Sequence, residues 1–174
     1  MDEIKVLIPE DDIRKRIKEI AEELSEKYKG DEVIIIGILS GAVFFFTELV
    51  QKMTIPVTID FMCASSYTNG TETSGEVKIT KDITQNIEGK RVVIVEDIID
   101  TGLTMKKVKE VLLERNPKSV EIVVLLDKPE RRRTEMVADK IGFEIPDVFI
   151  VGWGLDYDQK YRSLPYLGII NTEK

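Results

Sequence analysis

The sequence contains no histidine and a single cysteine, Cys63. The first absence removes Ser-His-Asp triads, Cys-His pairs and His-ligated metals together, so proton transfer falls to carboxylate, lysine, tyrosine or water. The second excludes an internal disulfide and any multi-cysteine zinc site, and it is consistent with a reducing compartment. Positive charge is also short: 25 Lys and Arg stand against 32 Asp and Glu, a net charge of -7. That balance argues against nucleic acid held on a basic surface. An anionic substrate would need local devices instead, namely backbone N–H groups, a few basic side chains and a divalent cation. The longest nearly apolar run, Val33 to Phe46, is interrupted by Gly37, Ser40 and Gly41, and it is shorter than the roughly 20 residues a membrane span needs. Met1 to Val6 show neither a basic n-region nor an apolar h-region. The expectation is a cytoplasmic protein with neither a membrane nor a nucleic-acid partner.

What is present reads as one domain, 1–174, with 43% apolar residues to build a core. Ile13, Ile17, Ile20, Leu24 and Tyr28 recur at helical spacing after the possible caps Asp11 and Asp12, and Gly30 stands where that helix would end. Val33 to Ile38 is an apolar, β-branched run expected of a strand covered on both faces, followed by a helix over Ala42 to Lys52. Ile55, Val57, Ile59, Phe61 and Cys63 alternate, predicting a strand with this face more deeply buried and Cys63 in the core. Ala64 to Gly75 is polar and glycine-containing around Tyr67, the composition of a mobile loop, and Val77 and Ile79 read as a returning strand. Arg91 to Val95, Val120 to Leu126 and Phe149 to Trp153 are further strands, with a helix over Thr104 to Arg115 stopped by Asn116-Pro117. Strands alternating with helices predict an α/β fold with a mainly parallel twisted sheet flanked by helices, and ligands outside the strands' carboxyl ends.

At one such end Val92-Val93-Ile94-Val95 runs into Glu96-Asp97-Ile98-Ile99-Asp100-Thr101-Gly102-Leu103-Thr104. The N–H groups of Thr101 to Thr104 open a helix and can converge on a phosphate, Gly102 allows close backbone approach, and the hydroxyls of Thr101 and Thr104 add donors. Glu96 and Asp97 are acceptor-only groups suited to the vicinal hydroxyls of a ribose. Three neighbouring carboxylates repel one another by several kcal/mol per pair at an effective dielectric of about 20, so a cation, expected to be Mg²⁺, or a raised pKa must compensate. A turn of solvated acids, or a carboxylate cluster of the phospho-acceptor kind, is the competing reading.

The strand, acid pair, two apolar residues, Asp-Thr-Gly and helix start, in that register, resemble the signature of the hypoxanthine-guanine phosphoribosyltransferases, type I enzymes that use 5-phosphoribosyl 1-pyrophosphate. The resemblance spans roughly Val33 to Arg162. It implies a Rossmann-like sheet with a small hood built from the terminal segments, and transfer of phosphoribosyl to hypoxanthine or guanine, giving IMP or GMP. It makes Asp100 the general base at purine N7, with helix capping as its ordinary alternative. Leu39, Ser40 and Gly41 become the pyrophosphate loop, although many relatives carry a basic residue where Ser40 stands, and Ser40 could simply cap the helix. Arg162 matches a pyrophosphate-contacting arginine and is otherwise a solvated one. Lys128 matches the lysine that donates to the exocyclic oxygen of a 6-oxopurine; without the resemblance it would be a surface lysine. Phe149 matches the aromatic that stacks on the purine, and the Ile150 backbone would meet the ring's edge. Trp153 reads as packing, and without the resemblance both aromatics would be core strand residues. Asp156 matches a carboxylate holding a second Mg²⁺, with Glu96 and Asp97 at the first. Ser66 and Tyr67 open a lid that closes over the pyrophosphate. The family also implies a homodimer or homotetramer.

Arg131-Arg132-Arg133 is the only dense basic cluster and is expected to be solvated or at a subunit contact. Two alternatives stay open: a phosphoribosyltransferase preferring xanthine or another base, and a non-catalytic regulator of the same fold that senses the phosphoribosyl donor. No space remains for an added DNA-binding domain.

Overall fold

The structure is a computed structural model and describes residues 3–69 and 72–171. In chain order the elements are β1 (Ile4–Ile8), α1 (Glu10–Lys27), β2 (Val33–Leu39), α2 (Val43–Lys52), β3 (Val57–Asn69), β4 (Glu72–Lys81), β5 (Arg91–Ile99), α3 (Leu103–Leu113), β6 (Ser119–Asp127), a 3-10 turn (Pro129–Arg131), β7 (Lys140–Glu144), β8 (Ile150–Val151) and β9 (Leu167–Ile170). The main sheet has the order β4-β3-β2-β5-β6-β7, parallel except for the β3–β4 pair. A smaller antiparallel sheet, β1-β9-β8, joins the two ends of the chain.

The period of two along the central strands divides their side chains between two cores. Val33 and Ile35, Val93 and Val95, and Val123 and Leu125 point to one face, where α1 and α2 cover them with Ile13, Ile17, Ile20, Leu24, Phe45 and Leu49. Ile34 and Ile36, Val92 and Ile94, and Ile122 and Val124 point to the other, covered by Met105, Val108 and Leu112 of α3. Each such fully buried side chain stabilises the fold by roughly 1.5–3 kcal/mol, which explains why these strands read as unbroken apolar runs. Ile8, Ile150 and Leu167 of the small sheet join the first core.

After β2 the chain crosses by α2 to β3 on one side; β5, on β2's other side, is followed by α3 on the opposite face. The strand order therefore switches direction between β2 and β5, and their carboxyl ends form a crevice there.

Several expectations need correction. Helix α1 starts at Glu10 behind Pro9, with no side-chain cap, and Asp11 and Asp12 lie in its first turn, where the positive end of the helix dipole favours acids. The deeply buried residues of β3 are Asp60 and Met62, not the alternating apolar set: Ile59 is 46% exposed and Cys63 is only half-buried. Asp60 can be interior because it accepts from the N–H groups of Phe61, Thr84 and Gln85. Of the stretch read as a loop from Ala64 to Gly75, residues 64–69 continue β3 and 72–75 start β4, with Ser66 opposite Val77 and Thr68 opposite Thr73, while 70–71 lie outside the described residues. Its polar side chains disguise a strand whose backbone pairing does not depend on them. Strands β1, β7 and β9 are additional to those expected, and the Phe149 to Trp153 strand shrinks to Ile150–Val151 in the small sheet.

Candidate active site

Strand β5 runs four residues beyond Val95, so Glu96 and Asp97 project from a pinned strand: Glu96 pairs with Val124 and Ile98 with Leu126. Their own oxygens consume nearby donors, Asp97 N–H donating to Glu96 Oε1 at 3.0 Å and Ile98 N–H to Asp97 Oδ1 at 2.8 Å. Glu96 is buried, and that burial, with the Asp97 charge beside it, pushes its carboxyl pKa well above the ordinary value. Asp97 leans onto the turn after β2. A Cβ on Gly41 would fall 1.7 Å from Asp97 Oδ2, so any other residue where the two loops meet must push the Asp97 carboxylate aside. The Leu39–Ser40 peptide in that turn is cis. Ser40 is exposed and does not cap α2, whose N-terminus carries no side-chain cap, so the capping alternative for Ser40 falls.

Beyond Ile99 the chain turns through Asp100 and Thr101 into α3. Gly102 has φ +84°, a left-handed conformation that glycine adopts without steric cost. A Cβ there would meet Thr134 Oγ1 at 2.5 Å and Met136 Cβ at 3.2 Å, so the glycine is also demanded by the chain packed behind it. Thr101 Oγ1 accepts from Leu103 N–H at 3.4 Å, and the first turn of α3 carries no acid or side-chain cap. Its amide groups and positive dipole end are suited to an anion.

Arg131 and Arg133 are exposed, as expected, and all three arginines also make a contact at the site. Arg133 N–H donates to the Thr101 carbonyl at 2.9 Å. Arg132 donates to the Asp100 carbonyl at 3.1 Å while pairing with buried Asp127. Arg131 Nε stands 2.7 Å from Asp100 Oδ1 and its other arm 3.3 Å from Asp147 Oδ1. Those two acids, Asp100 first, push the Arg131 pKa above its ordinary value. Arg131 is the residue that sequence reasoning missed; its signal was the basic cluster following Lys128, assigned there to solvent or a subunit contact. Lys128 itself is only 6% exposed, which removes the surface-lysine alternative. Its N–H donates to the Ile99 carbonyl at 3.0 Å and its Nζ lies 3.9 Å from Asp147.

One cleft of about 420 Å³ gathers Leu39, Gly41, Glu96, Asp97, Asp100, Thr101, Gly102, Thr104 and Arg131 on its wall. Lys128, Phe149, Ile150, Asp156 and Arg162 are not on that wall. The segment carrying the last four still packs against it, since a Cβ on Gly154 would fall 2.0 Å from the Gly41 carbonyl oxygen. Arg162 donates to the Gly154 carbonyl at 2.7 Å and pairs with Asp156 at 3.0 Å, so it is not a solvated arginine. Asp156 Oδ2 also accepts from Gln159 N–H at 2.9 Å. Phe149 is 44% exposed and makes an edge contact with Tyr157 at 5.4 Å, contrary to a core role, whereas Ile150 and Trp153 are buried. The side chains of Ser66 and Tyr67, expected in the lid, lie outside the described residues.

Among the described residues no three acidic, cysteine or histidine side chains converge as a metal cage. The oxygen donors that exist, Glu96 with Asp97 and separately Asp156, fit Mg²⁺ of the kind that keeps waters and substrate phosphates as most of its ligands. No helix among the described residues is long and apolar enough to cross a membrane.

A parallel sheet with an anion-suited helix start and an acid pair at its switch point defines a class: residues 9–159 match the phosphoribosyl transferase domain. The hypoxanthine phosphoribosyltransferase of Salmonella typhimurium is 48% identical over 167 residues, covering 95% of this chain and 94% of that protein. The hypoxanthine-guanine phosphoribosyltransferase of Bacillus subtilis is 47% identical over 166 residues, covering 95% and 92%. A crystal structure of a Staphylococcus aureus hypoxanthine phosphoribosyltransferase superposes with a TM-score of 0.92 at 46% identity, covering 96% of this chain and 91% of that one. The chain belongs to the hypoxanthine-guanine phosphoribosyltransferase family and is a transferase. These relatives favour neither the xanthine-preferring nor the regulatory alternative.

Proposed function

We propose that the protein transfers the phosphoribosyl group of 5-phosphoribosyl 1-pyrophosphate to N9 of hypoxanthine or guanine, giving IMP or GMP and pyrophosphate. The observation that carries this reading is the single cleft in which an acid pair, Asp100 and the start of α3 face the Leu39–Gly41 turn. Thr101 to Thr104 take the 5′-phosphate through backbone N–H groups and threonine hydroxyls, while Glu96 and Asp97 accept from the ribose hydroxyls. The C1′–N9 bond forms as the bond from C1′ to pyrophosphate oxygen breaks, and the proton on purine N7 passes to the Asp100 carboxylate. Such acid–base assistance is worth on the order of 10²–10⁴ in rate. Backbone groups of Leu39, Ser40 and Gly41, with Arg162, receive the departing pyrophosphate. Glu96, Asp97 and Asp156 would hold Mg²⁺, which supplies charge neutralisation for the leaving group. Ser66 and Tyr67 close over the site and exclude water from the oxocarbenium-like ribose.

Purine choice rests on Lys128, whose burial beside the cleft supports a donor role toward O6. Phe149, half-exposed, is available to stack on the base. Adenine would set two donors against each other, and sites built on one hydrogen bond discriminate by about 10⁴-fold. We read 1–174 as one domain, supported by the core shared between the two sheets, located in the cytoplasm and assembled as a homodimer or homotetramer. The test supplies the protein with Mg²⁺ and donor plus hypoxanthine, guanine, xanthine, adenine or uracil singly, and follows nucleotide and pyrophosphate. Hypoxanthine and guanine are expected to react. Preference for xanthine, or equal use of adenine, would overturn the purine assignment, and no reaction with any base would overturn the function.

A further inference from the structure

Asp100 is held twice from outside the phosphoribosyl loop. Its main chain is fixed by Arg132, which donates to the Asp100 carbonyl from an anchor on Asp127. Its side chain faces Arg131 on the cleft wall. Asp100 Oδ1 is buried yet makes no hydrogen bond, so the Arg131 charge 2.7 Å away is its compensation. The same guanidinium reaches Asp147 Oδ1 at 3.3 Å, and that oxygen lies 3.9 Å from Lys128 Nζ. Charges thus alternate along Asp100, Arg131, Asp147 and Lys128, joining the end of β5 to the end of β6.

On a 6-oxopurine, N7 and O6 lie next to each other on one side of the ring. A base acting at N7 and a donor acting at O6 must therefore keep a set spacing. We propose that Arg131, through Asp147, is the positioning residue that holds the Asp100 carboxylate at that spacing from the Lys128 ammonium. This rests on the roles given above to Asp100 and Lys128. Arginine suits the task because its rigid planar fork serves two carboxylates at once, where lysine offers a flexible point charge. Both ends of the Arg131–Asp100 pair are partly exposed, at 45% and 39%, so water screens the pair and its value lies in geometry more than in stability.

The experiment compares Arg131→Ala, Arg131→Lys, Asp100→Asn and the Arg131→Ala/Asp100→Asn double variant in steady-state kinetics with hypoxanthine, alongside thermal melting. Arg131→Ala is expected to lower kcat by about 10–100-fold, the scale of a misplaced reacting group. The KM for the phosphoribosyl donor and the melting temperature should stay at wild-type values, and Arg131→Lys should recover part of the loss. In the Asp100→Asn background Arg131→Ala should cost nothing further, because no carboxylate remains to be held. Wild-type kcat in Arg131→Ala, or an equal loss in both backgrounds, would overturn the inference. A loss that tracks the donor KM or the melting temperature would overturn it too. If instead Asp100→Asn keeps wild-type turnover, the underlying reading of Asp100 fails, a result distinct from any of these.

Discussion

Acids at the amino end of the central sheet and the Glu96–Asp97 pair at its carboxyl end are treated in opposite ways. At the amino end every notable acid has a cation: Asp31 meets Arg91 at 2.9 Å and Lys118 at 3.3 Å, and Glu32 meets Lys90 at 2.8 Å. Buried Glu121 there takes both Lys27 and the Tyr28 hydroxyl, and burial together with Glu121 pushes the Tyr28 pKa upward. At the carboxyl end Glu96 and Asp97 form no ion pair among the described residues, and Asp100 has only the partly exposed Arg131. The pKa directions follow. Lys118 and Arg91 hold Asp31 below its ordinary value and Lys90 does the same for Glu32, whereas burial and Asp97 raise Glu96. One set of acids ties strands together, and the other, at Glu96 and Asp97, is a stored electrostatic cost.

That contrast can be broken or sharpened by substitution. The largest effect is expected at Gly41→Ala, where the new Cβ must displace Asp97. We expect kcat/KM for nucleotide formation to fall by about 10²-fold, the scale of a displacement of roughly 1 Å, with α2 still folded by circular dichroism. Unchanged kcat/KM would mean that Asp97 has no fixed place in the reaction. Glu96→Gln should act in opposite directions on activity and stability: ribose binding weakens while the melting temperature at pH 7 rises, by about 2–4 °C for each kcal/mol in a chain of this size. The sign follows from the raised pKa of the folded state. Below the unfolded value of about 4.3 both states are protonated and no penalty exists; the penalty grows as pH rises toward and through the folded pKa. The gain should therefore vanish in melts near pH 4, and a gain independent of pH would assign it to packing. Asp31→Asn should have the smallest effect, on stability alone. Its pKa is lowered in the folded state, so its contribution is complete above the unfolded value of about 3.9 and disappears as pH falls below it. Added salt should shrink the difference, because the pairs are at the surface. A turnover change in this variant would show that the two ends are coupled.

Most of the parallel sheet was legible because burial on both faces requires unbroken apolar strands, as in Val33–Ile38 and Val92–Val95, and these cores are the ones observed. Reading failed where backbone pairing overrode side-chain character. The polar residues 65–69 and 72–75 lie in the paired strands β3 and β4, and short β1 and β9 gain their identity only by pairing with one another. It also failed for Asp60, whose burial depends on N–H groups contributed from 25 residues away.

The sequence by itself determined the chemistry available in the main loop: which side chains are acceptors only, which amides open a helix, and that histidine plays no part. It also carried the family resemblance through the register of Glu96 to Thr104. Only the tertiary structure decided that Asp97 rests on Gly41, that Lys128 is buried and that Arg131 pairs with Asp100. The physical reason is range. Strand periodicity and helix starts are written within a few neighbouring residues, whereas the partner of a charge depends on which distant segment packing brings beside it. In Arg131-Arg132-Arg133 the first side chain takes two carboxylates and the second a buried acid with a main-chain carbonyl, while Arg133 bonds through its main-chain N–H, and nothing local distinguishes the first two.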